Sequence, residues 1–234
     1  MRVSLALKLL KLGLMIVISV VGVQSAQPGL LNATKAYSVI VKKISGVYTS
    51  TAKPKPVSAT IPTTYTLNEV EKNMLVNILT DPDEGGQNKT NRWNKEVITY
   101  SLNLSYPVYY QNLIRDIFVY GGKITGLQVQ EITEGQADVT VVEKEDNGAL
   151  TTLWQDSSGS TQKVLLEIGC CNTRAAWEDV LQTFGPTGDK GDKRSIFSQD
   201  VTSRDTPSTF DNYVLYVLYR EKSGSTAAEI RNSL

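Results

Sequence analysis

Between Val97 and Val142 the repeat of apolar residues switches from two to nearly four and back to two, and this constrains the fold more than any other feature of the chain. Val97 to Leu104 alternates as a strand. Pro107 then opens a helix with Tyr110, Leu113, Ile114 and Ile117 on one stripe, and Gly121-Gly122 is the expected stop. Leu127 to Ile132 and Ala137 to Val142 read as two more strands. Leu150 to Trp154 and Val164 to Ile168 flank a Ser/Gly turn and predict a hairpin. A helix follows from about Thr173 to Phe184, stopped by Gly185-Pro186. Ser208-Thr209-Phe210-Asp211 caps another, and Thr226 to Glu229 caps a short last one. Upstream, Thr66-Leu67-Asn68-Glu69 reads as a capping box for a helix to about Leu79, and 81–86 as a solvated turn. The order of elements predicts an α/β (α+β) domain: one mixed sheet with helices packed against it.

The ends of the chain point to export. Residues 1–26 have a basic start (Arg2, Lys8, Lys11), an apolar run from Leu12 to Val23 and a small-residue exit, the pattern of a secretory signal. An apolar run of 12 residues falls short of the roughly 20 that span a bilayer, so no stable membrane insertion is expected after cleavage. Residues 27–65 read as an arm, with a possible strand between Ala36 and Tyr48 and a linker at Thr51 to Pro56. The domain is expected over 66–234, its core over about 90–222. With 24 basic and 24 acidic residues in all, loss of three basic ones leaves 21 − 24 = −3, which offers no footprint for nucleic acid. A secreted or periplasmic protein is the expectation.

The chain contains no histidine. A Ser-His-Asp triad, a Cys-His pair and an HExxH zinc helix are therefore excluded. Its two cysteines, Cys170 and Cys171, are neighbours. A vicinal disulfide is one reading; two buried thiols or an intermolecular bridge are the readings given more weight, since neighbouring Cα atoms lie closer than disulfides usually prefer. Two thiolates without imidazole cannot close a zinc tetrahedron.

On the helix at 173–184, Trp177, Val180, Leu181 and Phe184 form one stripe that must face the core. Glu178 and Gln182 sit together on its flank, and Asp179 points further away. Aligned on Gly185, the run from Glu178 resembles the H-E-x-x-H-x-x-G segment of metzincin metalloproteases. Glu178 and Gln182 stand in the places of two zinc histidines, Asp179 in that of the catalytic glutamate, and Gly188, followed by Asp189, in that of the third ligand. Ser195-Ile196-Phe197 looks like a Met-turn with phenylalanine for methionine, and Phe210 to Tyr219 is similar to the closing helix. Trp93 to Leu102 and Ile124 to Leu127 look like the first strand and the end of the first helix. The substituted pattern also resembles a family of mostly bacterial secreted proteins with a domain of unknown function. Their pattern is E-E-x-x-Q-x-x-G, N-D, S-I-F-N and D-x-x-x-L-x-x-L-Y. This chain departs from it at Asp179, Gly188 and Ser198.

The resemblance implies a zincin-like mixed sheet with a motif helix and a Met-turn-like loop. Glu178 and Gln182 offer oxygen rather than imidazole, which argues against zinc-dependent proteolysis. No cofactor is expected; the alternative is a calcium or magnesium site built from Glu178, Gln182 and Asp189. Glu178 and Asp179 are the candidate catalytic groups. A second enzymatic reading pairs the carboxylates of Glu178 and Asp189 in a glycoside or peptide hydrolase. The favoured expectation is a pseudopeptidase, a binding or structural module whose partner is a peptide, protein or glycan. On that reading Glu178 and Gln182 bond neighbouring backbone or face water, Asp179 complements the helix dipole, and Phe197 belongs to the core.

Overall fold

The computed structural model describes residues 59–62, 64–80, 89–186, 195–198 and 205–234, together with the backbone of 37–42. Six strands follow one another across a sheet in the order β4 (Gln128–Glu131), β3 (Val97–Asn103), β5 (Val139–Glu143), β7 (Ser160–Ile168), β6 (Ala149–Gln155) and β1 (Tyr37–Lys42). The first four are parallel; β6 runs antiparallel to β7, and β1 antiparallel to β6. A two-residue strand, β2 (Arg92–Trp93), pairs in parallel with the start of β7. The expected hairpin is β6–β7, turning at Gly159 with φ +77°.

Side chains alternate across a strand, so one face of each is buried: Ile98 and Tyr100 on β3, Val139 and Val141 on β5, Ala149, Thr151 and Leu153 on β6, Val164, Leu166 and Ile168 on β7. Helices α2 (Val108–Thr125) and α3 (Thr173–Gln182) pack on the sheet and on each other, with α1 (Glu69–Thr80), α4 (Thr209–Arg220) and α5 (Ala227–Ser233) completing the core. Phe118 of α2 stacks on Tyr100 of β3, centroids 4.1 Å apart. The mixed α/β fold expected from the alternating periods is present.

Two local expectations need correction. The capping box of α1 is Asn68 with Glu71, two residues beyond the one read from Thr66: Asn68 Oδ1 accepts the Glu71 N–H at 3.0 Å and Glu71 Oε2 the Asn68 N–H at 3.1 Å. Helix α2 runs through Gly121-Gly122 and stops at Gly126, which closes it in the left-handed conformation (φ +82°). The glycine pair is there for packing. A Cβ on Gly121 would lie 2.4 Å from the Phe184 ring, and one on Gly122 2.8 Å from the Leu127 carbonyl.

Candidate functional site

Helix α3 begins at Asn172, whose Oδ1 accepts the Ala175 N–H at 3.1 Å. Trp177, Val180, Leu181 and Phe184 are buried as their spacing requires. Trp177 meets Tyr120 of α2 edge-on at 5.1 Å, and Phe184 fills the space that Gly121 leaves open. The C-terminal end is tied down from two sides. Trp93 Nε1 donates to the Thr183 carbonyl at 2.8 Å, and the Tyr219 hydroxyl donates to the Phe184 carbonyl at 2.8 Å while accepting the Trp93 N–H at 3.4 Å. Burial pushes the Tyr219 phenol well up, more than the Trp93 N–H and the Arg92 charge pull it down.

The polar residues of α3 do not face water. Glu178 is 3% exposed, Asp179 4% and Gln182 3%. Of the two readings for Glu178 and Gln182, bonding to neighbouring groups or facing water, their burial leaves the first, and Asp179 is buried with them. Among the described residues, helix α2 and strands β6 and β7 pack against α3, and Arg174 reaches the turn at 195–198. The compensation is local. Arg174, one turn before Glu178, brings a guanidinium nitrogen to 3.6 Å of Glu178 Oε2 and donates a hydrogen bond to the Ser198 carbonyl. Thr151 of β6 donates to Asp179 Oδ1 at 3.5 Å. Nearby, the Tyr110 hydroxyl reaches the Gly169 and Asn172 carbonyls at 3.0 and 3.2 Å; burial first, and then the charge of Asp179, raises its phenol. Arg174 is the site residue that the sequence reading passed over, although its i, i+4 spacing to Glu178 is the signal of such a pair.

Removing one partner of a buried ion pair costs more than removing both. Arg174→Leu is expected to destabilise the protein by about 3–5 kcal/mol, and Arg174→Leu with Glu178→Leu by clearly less. Urea denaturation of Arg174→Leu, Glu178→Leu and the double variant reads the coupling; a double variant as costly as the sum of the singles would mean that the pair is not coupled.

The turn behind α3 hangs on one carboxylate. Asp211, in the first turn of α4, accepts from Ser195 Oγ at 2.5 Å and the Ile196 N–H at 3.1 Å through Oδ1. Its Oδ2 accepts from the Ser208 N–H at 2.6 Å and Ser208 Oγ at 2.7 Å, closing the capping box of α4. Ile196 and Phe197 are fully buried. Gly185, Leu215 and Leu218 pack closely, and Asp211 and Tyr219 tether the turn at 195–198 and the end of α3.

Calcium or magnesium would have to share Glu178 with the Arg174 guanidinium, and such ions take about six oxygens. Among the described residues no three His, Cys, Asp or Glu side chains converge. Gly188 and Asp189 lie outside the described residues, as do the expected signal and the 81–86 turn. Cys170 and Cys171 are placed as a vicinal disulfide across a cis peptide bond, just before the Asn172 cap. A pocket of about 320 Å³ opens beyond the C-terminal ends of β5 and β7, bordered by Tyr106, Glu143, Asp146 and Cys170; Glu178, Asp179 and Gln182 do not line it. No helix among the described residues is long and apolar enough to cross a membrane. Comparison of the sequence with protein-family models and with curated proteins finds no match.

Proposed function

We propose that this chain is a secreted or periplasmic zincin-like binding module that lacks zinc-dependent peptidase activity and takes an extended peptide segment on the outer edge of β6. The observation that carries the reading is the pairing of β6 with a strand from far upstream. Residues Lys42 to Tyr37 lie antiparallel to Leu150 to Gln155, partner for partner. An edge that accepts one extended segment in register can give the same main-chain hydrogen bonds to another that takes its place, which is how strand addition obtains affinity without a deep pocket.

The zincin-like part of the reading is supported by the chain order of the parts. A strand and long helix precede a mixed sheet; the motif helix α3 lies beside it; the turn at 195–198 sits behind α3 and is held by the closing helix α4. The binding part, as against catalysis, is supported by what occupies the place of the metal ligands: a buried carboxylate facing an arginine.

The test uses the purified protein. Zinc content well below one per chain and no cleavage across a broad peptide library are expected. Stoichiometric zinc, with cleavage abolished by a chelator, would overturn the reading. The carboxylate-hydrolase alternative has its own mark, a turnover of glycan or peptide that Glu178→Gln abolishes while the fold survives.

A further inference from the structure

We propose that residues 37–42 are a built-in competitor for the peptide-binding edge of β6, so that an incoming extended segment must displace the chain's own arm. The inference rests on the strand-acceptor reading above and adds its regulation.

Three observations lead there. First, β1 ends the sheet, and β6 is its one neighbour in the strand order. The other five strands of that path join one another between residues 97 and 168, so the sheet from β4 to β6 closes without the arm. Second, the pairing covers nearly all of β6, six of its seven residues, so little of the outer edge remains for a second occupant while β1 is in place. Third, β1 is separated from the next described residue, Ala59, by the 16 residues 43–58, which include Lys53-Pro54-Lys55-Pro56. A segment joined to its site by the same chain competes at an effective rather than a bulk concentration, which is of order millimolar for short linkers in general. It therefore competes with a free peptide of equal intrinsic affinity by roughly Ceff/Kd, which is tenfold or more for a peptide that binds in the tens of micromolar.

Release of the arm leaves the β6 N–H and C=O groups facing outward unpaired, and an extended partner restores them. The occupant this chemistry selects is a peptide in strand conformation, recognised mainly through its backbone, with β-branched residues favoured because they hold that conformation.

The experiment uses the full chain and the variant Val39→Pro/Ile40→Pro. Successive N–H groups of a strand point to opposite sides, so one of the two prolines removes a donor to β6 in either phase. The probe is a fluorescein-labelled peptide with the sequence of Ala36 to Lys43, followed by anisotropy, and hydrogen exchange of the β6 amides is measured in parallel. The variant is expected to show faster exchange in β6 and to bind the probe at least tenfold more tightly than the wild type. Equal binding by both proteins would overturn the competitor role while leaving peptide binding intact. Faster exchange in β6 with no binding by the variant would overturn peptide binding at this edge, and the competitor role with it. Unchanged exchange in β6 would mean that the arm does not cover the edge.

Discussion

Gly185→Ala is expected to destabilise the protein by more than about 4 kcal/mol and to leave little folded material at 37 °C. Two costs combine at this position. The backbone has φ +127°, where a side chain is strained by about 1–3 kcal/mol. A Cβ would also lie 1.9 Å from the Asn91 carbonyl oxygen, with Leu218 Cδ2 at 3.1 Å behind it. Overpacking of a rigid site adds about 1–3 kcal/mol more when the neighbours can shift, and here they cannot shift freely. Asn91 leads into β2, whose Trp93 holds the end of α3 through Thr183, and Tyr219 holds the Phe184 carbonyl from the other side. Moving either strand or helix by an ångström breaks those bonds.

Gly126 supplies the control. It also has a positive φ, +82°, but nothing lies within 4 Å of its Cβ position. Gly126→Ala should cost only the backbone strain, about 1–2 kcal/mol. Urea denaturation of both variants separates strain from close approach; equal costs would show that the contact with Asn91 is looser than the structure has it.

The two glycines also show what a sequence can and cannot disclose. A stop at Gly185-Pro186 was legible because helix ends are written locally, and the same is true of the caps at Ser208 and Thr226, where a hydroxyl and a carboxylate stand three residues apart. The cap of α1 was misplaced because Thr66 with Glu69 and Asn68 with Glu71 both satisfy that spacing, and only the fold chooses between them. Gly121-Gly122 was misread as a stop since its reason, the Phe184 ring, comes from a distant part of the chain. The stripe on α3 correctly assigned Trp177, Val180, Leu181 and Phe184 to the core. It could not reveal that the opposite side is buried as well, because Glu178, Asp179 and Gln182 are polar and a pattern of polarity reads as exposure. Their burial depends on tertiary neighbours such as Thr151 of β6, which donates to Asp179, and these the sequence does not place beside α3. Sequence spacing suggests the pairing of Arg174 with Glu178, whereas the Ser198 carbonyl that receives the same guanidinium is a tertiary fact. The possible strand near 36–48 was legible from its β-branched residues, but its partner was not; strand pairing has no local code beyond the hairpin.

Asp211 is where a local signal and a tertiary role coincide, and its removal is expected to rival that of Gly185. Asp211→Ala deletes the acceptor for four donors at once: Ser195 Oγ, the Ile196 N–H, the Ser208 N–H and Ser208 Oγ. Each buried donor left without a partner costs about 1–3 kcal/mol, and a lost cap about 1 kcal/mol. A total of about 4–5 kcal/mol is expected after partial relaxation, with the turn at 195–198 losing its hold on α4. Asp211→Asn keeps one carbonyl oxygen but turns an amide N–H₂ toward the other donors, so about 2–3 kcal/mol is expected at neutral pH. The pH dependence carries a sign. Burial pushes the Asp211 carboxyl above its ordinary range, against the lowering pull of Ser195, Ser208 and Ile196. A carboxyl raised in the folded state favours folding most below its unfolded pKa, and that contribution is lost as pH rises through the folded value. The cost of Asp211→Asn, relative to wild type, should therefore be larger at pH 4 than at pH 7. Urea denaturation of both proteins at the two pH values measures it. A cost that grows toward pH 7 would show that the four donors outweigh burial and that the carboxylate is held ionised.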